Sequence, residues 1–368
     1  MLYYFSVSMW SWRGMRELGT LLRDYPCDHA DFDKPQCKMG RKLSAELLTE
    51  AMAFKHDIDA AVNRSIVTFS GDAAKTYGAS LFVPSAVVPA GKPPVVFQSM
   101  TQDTVAEYSN FRYYSEMLSS GALDSETAAQ LQDFRENNGG CLSGMTRYSD
   151  HLDDMPAIGY AEASIASDRI QEYLLLLYGH AANYQGRGSF FSTEQESLYQ
   201  DSSNPNWRAS LGEIQASFCT PSQMLVSSMT AMQFLSESRD EEALWLARAA
   251  PRRWYAEGFN VTNGPTRYGN LSFAISGAGG AGGDGATSVR LRANFTQRPH
   301  VHAPKPTLHV RVRWPTTAPT KQLASATAKA GSDCEVVSTD AHAEMIDVLA
   351  KPRSKTTIES CELDVTFE

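Results

Sequence analysis

The first two thirds of the chain carry apolar residues at helical spacing, and this pattern predicts an α-helical region. A stripe of Leu47, Leu48, Ala51, Phe54, Ile58 and Val62 predicts a long helix over 43–67. Trp10, Met15, Leu18, Leu21 and Leu22 predict an earlier helix, which we expect to be buried. The same reasoning gives four further helices, at about 104–120, 124–137, 156–184 and 220–238.

Between these helices lie loops rich in Gly and Pro, of which 69–94 is predicted to be extended with one short strand. Helix and loop alternate at intervals of roughly 40 to 50 residues, which indicates stacked helical hairpins. Because the loops are long and differ from one another, we predict a toroid-like array of hairpins.

The pattern changes near Glu241, where alternating apolar and polar residues predict antiparallel strands with one buried face. The clearest examples are NLSFAIS, SVRLRANF and TLHVRVRWP, and IESCELDVTF is a candidate last strand. The predicted domains are therefore a helical domain over 1–240 and a β-sandwich-like domain over 241–368, with a weakly structured tail after Pro315. The fold class is mainly α with β.

Composition and charge exclude several function classes. The net charge of −9 argues against nucleic acid as a partner, since phosphate neutralisation needs Lys and Arg in excess. No apolar run is long enough for a membrane span. The opening segment MLYYFSVSMWSW is a poor signal peptide and is typical of a helix within a domain, so we expect a longer gene product.

Cysteines and glycosylation sequons indicate the cellular compartment of the protein. None of the six cysteines forms a CxxC pair, which argues against zinc, and no cofactor is indicated. Cys27 with Cys37, and Cys334 with Cys361, are spaced so that each pair would close a loop in an oxidising compartment. Sequons favour a glycoprotein of the secretory pathway, and they begin at Asn63, Asn260, Asn270 and Asn294.

Four carboxylates lie at the two ends of the predicted 156–184 helix, among Arg, His, Tyr and Gly. They are Asp150, Asp153, Asp154 and Glu194, within the segments MTRYSDHLDDMPAIGY and STEQESLY. Paired carboxyl groups are what glycosidic-bond cleavage requires, one as proton donor and one as base or nucleophile.

The segment LWLARAAPRRWYAEGFNVTNGPTRYGNLSFAI resembles the junction of six-hairpin glycosidases, where an (α/α)6 barrel precedes a C-terminal β-domain. MTRYSDHLDDMPAIGY and STEQESLY are similar to loop segments of that barrel. The resemblance covers roughly residues 1–315. It implies twelve barrel helices, of which this chain supplies about half, so the N-terminal hairpins are missing from it.

The resemblance and the carboxylates together predict hydrolysis of oligo- or polysaccharide, with inversion at the anomeric carbon. The candidate catalytic residues are Asp153, Asp154 and Glu194. The candidate substrate-binding residues are Arg147, Asp150, His151, Tyr160 and Gln195, and no metal ligand is expected.

One straight helix of about 28 residues would hold the two groups of acids roughly 40 Å apart. They meet only if the loop after Tyr184 folds back; otherwise the partner acid is Glu107, Glu116 or Glu213. Several aromatic residues are candidate platforms for sugar stacking, with core packing as the alternative role: Trp10, Trp12, Tyr113, Tyr114, Tyr160 and Trp207.

Structural roles compete with each of these assignments. Asp154 is placed to cap the helix that starts near Pro156. If the turn is solvated, the neighbouring Asp153 would not shift the pKa of either acid. His151 suits a hydrogen-bonding neighbour, and Arg147 suits a salt bridge to Asp150. Tyr160 suits core packing.

Two other functions remain open. A polysaccharide lyase on an α/α toroid would use His151 and Tyr148 with Arg147 to abstract a proton beside a uronate. A non-catalytic carbohydrate-binding relic of a truncated glycosidase is the other. The sequence contains neither a GxSxG nucleophile elbow nor a phosphate-binding Gly loop.

Overall fold

The computed structural model describes fifteen stretches of the chain. They are residues 4–24, 34–89, 91–92, 105–148, 151–154, 156–183, 185, 192, 195–197, 219–238, 241–277, 286–294, 306–315, 321–351 and 357–368. Contacts divide the chain into two compact units. The helical unit comprises Met1–Arg23 and Pro35–Thr230, and the strand unit comprises Asp24–Lys34 and Ala231–Glu368.

Helices come first along the chain and strands dominate its last third, so the prediction of a fold that mixes α and β is confirmed. The described sheets are antiparallel except for one, which contains a parallel strand pair. The described residues form eight α-helices. These are α1 (Phe5–Asp24), α2 (Lys34–Ser65), α3 (Asp72–Tyr77), α4 (Val105–Ser120), α5 (Ser125–Asn137), α6 (Ala157–Ala166), α7 (Ile170–Asn183) and α8 (Thr220–Phe234).

The long helix α2 confirms the predicted stripe, since Ala51, Ile58 and Val62 are all buried. Helix α1 is also confirmed as a helix, but its buried face differs from the prediction. Phe5, Met9, Trp12 and Gly19 face the interior. Trp10, Leu18 and Leu21 are 43%, 46% and 53% exposed. The expectation of a buried helix is therefore wrong for the predicted stripe, because a neighbouring face of α1 packs against the interior instead.

The predicted single helix over 156–184 is two helices, α6 and α7. Ser167 donates its backbone N–H to the carbonyl of Ala163, and the helix ends there. Asp168 follows with a φ of 59°, a left-handed conformation that no α-helix continues through. Because the helix is broken, the two groups of acids are no longer held at the two ends of one straight helix.

Six short strands lie in the helical unit. They are β1 (Val67–Thr68), β2 (Leu81–Phe82), β3 (Cys141–Leu142), β4 (Met145–Tyr148), β5 (His151–Asp153) and β6 (Gln195–Ser197). Strands β1 and β2 pair, with α3 between them, where the sequence predicted an extended loop. The other four form one sheet in the order β3-β4-β5-β6. The segments predicted to be loops around Arg147 and Gln195 are therefore partly strands.

The strand unit contains two five-stranded sheets. Its strands are β7 (Leu235–Glu237), β8 (Ala243–Leu246), β9 (Gly258–Thr266), β10 (Gly269–Ser276), β11 (Ala286–Asn294), β12 (Thr307–Arg311), β13 (Leu323–Ala328), β14 (Cys334–Asp340), β15 (Met345–Ala350) and β16 (Thr357–Phe367). The orders are β13-β16-β11-β10-β9 and β14-β15-β12-β8-β7. Both sheets contribute residues to one buried cluster, among them Leu246, Phe273 and Val310.

Strands β10, β11, β12 and β16 confirm the alternating segments, and β7 replaces the predicted end of the α8 helix. The expectation of a weakly structured tail after Pro315 is wrong, because the tail forms β13 to β16. Strands β13 and β14 are rich in Ala, Ser and Thr, so their alternation carries little hydrophobic contrast.

The predicted disulfide between Cys334 and Cys361 is present. Cys37 is also disulfide-bonded, and its predicted partner Cys27 lies outside the described residues.

Candidate functional site

The turn between β5 and α6 buries two adjacent carboxyl groups. Asp153 ends β5, Asp154 follows it, and the two side chains are 3% and 1% exposed. Both oxygens of Asp154 accept hydrogen bonds from hydroxyl groups, Oδ1 from Ser222 at 2.6 Å and Oδ2 from Ser192 at 3.0 Å. The carboxyl group therefore joins the β5–α6 turn to the first turn of α8.

The pKa of Asp154 is raised from 3.8 to about 7, chiefly by burial, with a smaller contribution in the same direction from the neighbouring charge of Asp153. The hydrogen bonds from Ser222 and Ser192 lower the pKa, since they stabilise the charged form, but burial is the larger effect. A carboxyl group with such a pKa holds its proton at mildly acidic pH. It is thus suited to donate a proton near neutrality.

Asp154 does not cap α6 with its side chain. The residue at the N-cap position is Pro156, and no side chain caps the helix there. Only the backbone carbonyl of Asp154 takes part, accepting from the N–H of Ala157 at 2.9 Å. The capping role that the sequence suggested is therefore wrong, because both carboxyl oxygens are directed to serine hydroxyls of other segments.

The pairing of β5 with β6 brings together the segments that precede and follow the predicted 156–184 helix. Strand β6 runs antiparallel to β5, and Gln195 is the direct partner of Asp153. Directly opposed residues of antiparallel strands have Cα atoms about 4.5 to 5.5 Å apart. The chain after α7 thus folds back to Asp153, as the sequence argument required. Glu194 precedes Gln195 and lies outside the described residues, as do Asp150 and Glu213.

The hairpin of β4 and β5 brings the other candidates into register. Tyr148 is the direct partner of His151, and Arg147 is the partner of Leu152. His151 is in turn opposite Ser197 on β6. Arg147 is half-buried. Three of the residues named from the sequence therefore lie on one small sheet beside Asp153.

Tyr160 lies in the core of the helical unit, at 2% exposure. The guanidinium of Arg135 sits 3.6 Å from the centre of its ring, and Arg135 is itself 3% exposed. Burial raises the pKa of the Tyr160 hydroxyl well above its usual value. The structure thus gives Tyr160 a packing and cation–π role rather than a place on a surface that a substrate could reach.

A groove with a volume of about 710 Å³ lies against the first turn of α6. Pro156 and Ile158 form one side of it, two and four residues after Asp154. Its polar lining includes Glu116 of α4, and Trp10 of α1 is part of the wall with 43% of its surface exposed. The remaining lining residues are Ser6, Val7, Ser11, Ser115 and Ser119.

The sequence indicated some members of this region and missed others. Trp10 and Glu116 were candidates, as a stacking platform and as an alternative acid. Ser192 and Ser222 were not, because they are separated from Asp154 by 38 and 68 residues and belong to no recognisable motif. Glu107 belongs to α4.

Among the described stretches of the chain, no group of three or more His, Cys, Asp or Glu side chains is placed to hold a metal ion. None of their helices is both long and apolar enough to cross a membrane.

Neither the models of known protein families nor the characterised proteins compared with this chain match it. The chemistry of the site therefore rests on the residues described above.

Proposed function

We propose that the helical unit hydrolyses glycosidic bonds in an oligo- or polysaccharide, with Asp154 as the proton donor. The observation that carries the proposal is the burial of Asp154 beside Asp153, which raises the pKa of Asp154 to about 7. A glycosidase needs one carboxyl group that is still protonated when substrate binds and a second that is charged. Asp154 would be the protonated group, and a second acid would be the charged one.

The second carboxylate would be Asp153 or Glu194. Gln195 lies opposite Asp153 in the β5–β6 ladder. Glu194 precedes Gln195 in the sequence and lies outside the described residues. An inverting mechanism needs carboxyl groups about 6.5 to 9.5 Å apart, which leaves room for the attacking water. Asp154 is 1% exposed, so substrate entry has to open the turn.

The groove beside α6 would bind sugar units next to the bond that is cleaved. An exposed indole is a flat apolar surface on which a sugar ring can stack, and Trp10 offers one in the groove wall. Serine hydroxyls and the Glu116 carboxyl would bond the sugar hydroxyls.

The architecture that we propose is that of a six-hairpin glycosidase. Helices α1 to α8 would belong to the hairpins of an (α/α) toroid. The two five-stranded sheets, which share one buried cluster, would form the β-sandwich-like domain that follows. The buried position of Tyr255 in the APRRWY segment fits a structural role for that junction.

The proposal is tested by incubating the protein with a panel of neutral polysaccharides and aryl glycosides and measuring reducing ends. Asp154→Asn removes the donated proton with little change in shape, and Asp57→Asn, on an exposed surface of α2, is the matched control. We expect the wild type and D57N to cleave at least one polysaccharide, and D154N to turn over that polysaccharide about 100-fold more slowly or worse. Unchanged cleavage of the polysaccharide by D154N contradicts the role of Asp154.

The β4–β5 hairpin supports a second candidate, a lyase acting on uronate polysaccharide. Tyr148 and His151 are direct strand partners and share one face of the hairpin, whereas Arg147, one residue earlier, lies on the opposite face. The base that abstracts the proton would be Tyr148 or His151, and Arg147 would have to reach around the strand to neutralise the carboxylate. Elimination creates a C=C bond that absorbs in the ultraviolet, whereas hydrolysis creates none. Absorbance growing with new chain ends, and abolished in H151A, would favour the lyase.

A further inference from the structure

Two sequons of the strand unit lie within strands whose alternation presents them to solvent. In Asn260-Val261-Thr262 on β9, the first and third residues are exposed and Val261 packs against the buried cluster. In Asn270-Leu271-Ser272 on β10, Asn270 is exposed and Leu271 is fully buried. Residues i and i+2 of a strand share a face, so each Asn lies on the same side as the hydroxyl that its sequon requires.

The side chains of the first sequon already contact each other. Nδ2 of Asn260 donates to Oγ1 of Thr262 at 3.3 Å. The hydroxyl of Ser272 is occupied in a different way, since it accepts from the backbone N–H of Asn263 at 2.9 Å. In both sequons the middle residue anchors the strand, so a group attached to the Asn amide would extend away from the core.

Disulfides provide an independent observation on the compartment. Cys334 and Cys361 are bonded within the same unit, and Cys37 is disulfide-bonded elsewhere in the chain. Disulfides persist in oxidising compartments, which include the secretory pathway where N-linked sugars are added. A chain that acquires these bonds there meets the enzymes that modify sequons.

We propose that Asn260 and Asn270 are attachment sites for N-linked glycans on the β9–β10 hairpin. The amide nitrogen of Asn would form a bond to the anomeric carbon of an oligosaccharide carried on a lipid pyrophosphate. The bond from that carbon to the pyrophosphate oxygen breaks, the pyrophosphate leaves with the electron pair, and the amide loses one proton. No atom is oxidised or reduced. This inference concerns the strand unit and does not depend on the proposed glycosidase activity.

The other two sequons differ and are not part of the proposal. Asn63 lies near the end of α2, and the hydroxyl of its sequon partner Ser65 is 1% exposed and donates to the carbonyl of Ala61. Asn294 ends β11, and the hydroxyl residue of its sequon lies outside the described residues. Asn63 therefore provides an internal comparison.

The test is secretion of the full chain from a eukaryotic host, followed by treatment with a peptide N-glycosidase in ¹⁸O water and peptide mapping. We expect Asn260 and Asn270 to be converted to ¹⁸O-labelled Asp, with a downward gel shift on treatment. Thr262→Ala is expected to abolish the label at Asn260 while Thr262→Ser retains it, and Ser272→Ala to abolish the label at Asn270.

Recovery of both residues as unmodified Asn from the secreted protein would overturn the proposal. Label confined to Asn63 would do the same. Circular dichroism spectra of the Ala variants that match the wild type show that a lost label reflects the lost hydroxyl rather than misfolding.

Discussion

At the scale of single residues, the burial of Asp154 dominates its chemistry. Two hydroxyl donors favour its charged form, yet removal from water outweighs them and the pKa rises to about 7. The sequence singled out this aspartate, because adjacent acids before a helix are conspicuous. It assigned the wrong contacts, since nothing in the sequence links position 154 to Ser192 or Ser222. Contacts between distant segments depend on the tertiary fold, which local patterns do not encode.

A raised pKa makes stability depend on pH. In the unfolded chain Asp154 loses its proton near its ordinary pKa of 3.8, whereas in the folded protein it keeps the proton up to about 7. Its contribution is therefore full below pH 3.8 and is lost as the pH rises through 7. The loss amounts to about 4 kcal/mol at most, since one pKa unit corresponds to about 1.4 kcal/mol.

We expect D154N, which cannot ionise, to remove this fall in unfolding free energy between about pH 4 and pH 8. Urea unfolding of wild type, D154N and D57N across that range measures it. D57N is expected to follow the wild type, because Asp57 is 79% exposed. Parallel pH profiles for wild type and D154N would show that Asp154 is not the group whose pKa is raised.

At the scale of elements, helix packing against α6 depends on a close approach that only glycine permits. A Cβ on Gly159 would lie 2.2 Å from Oγ of Ser115 and 2.4 Å from its carbonyl oxygen on α4. The hydroxyl of Ser115 donates to the carbonyl of Pro156 at 2.5 Å. The same contact fixes the first turn of α6, which forms one side of the groove.

Gly159→Ala is expected to destabilise the protein by about 1 to 3 kcal/mol or more, because the clash involves backbone and α4 has to move. Gly14→Ala is the matched control, since Gly14 is exposed in the middle of α1 and a Cβ there meets no atom within 4 Å. That substitution is expected to stabilise by about 0.5 to 1 kcal/mol. Thermal unfolding of both variants measures the difference. Equal effects of the two would contradict the close α4–α6 contact.

Elements with strong periodicity were predictable, and those with weak contrast were not. The stripe of α2 and the alternation of β10 and β11 are visible without a structure. The break at Asp168 is not, because nothing about Ser167-Asp168-Arg169 forbids a helix, and the left-handed residue there is a property of the fold. Strand β13 alternates Ala with Ser and Thr, a pattern with too little apolar contrast to distinguish strand from loop.

At the scale of the whole molecule, the two units have different sources of stability. The helical unit relies on buried helix faces. The strand unit adds a covalent link, since Cys334 of β14 and Cys361 of β16 are bonded over a separation of 27 residues. The sequence predicted a change from helices to strands near Glu241, whereas the strand unit comprises Asp24–Lys34 and Ala231–Glu368. It also made the pairing of Cys334 with Cys361 a candidate, because the two cysteines could close a loop. The order of the strands within the sheets could not be predicted. For example, β8 pairs in parallel with β12, which is distant from it in the sequence.

Replacing both Cys334 and Cys361 with Ala is expected to lower the unfolding free energy of the strand unit by about 2 to 5 kcal/mol, since the unfolded chain regains conformational freedom. Calorimetry of the variant measures the loss. Cys141→Ala is the control, because Cys141 is a free thiol. A melting temperature insensitive to the double substitution would show that the disulfide is dispensable for the unit.

The most direct test of the account is the dependence of D154N turnover on the leaving group of a glycoside substrate. A proton donor matters most when the leaving alcohol is poor and least when it is a stable phenolate. We predict that D154N loses about 100-fold or more on unactivated glycosides and retains near wild-type turnover on a dinitrophenyl glycoside. An equal loss on both substrates, or no loss on either, would contradict the assignment of Asp154 as the acid.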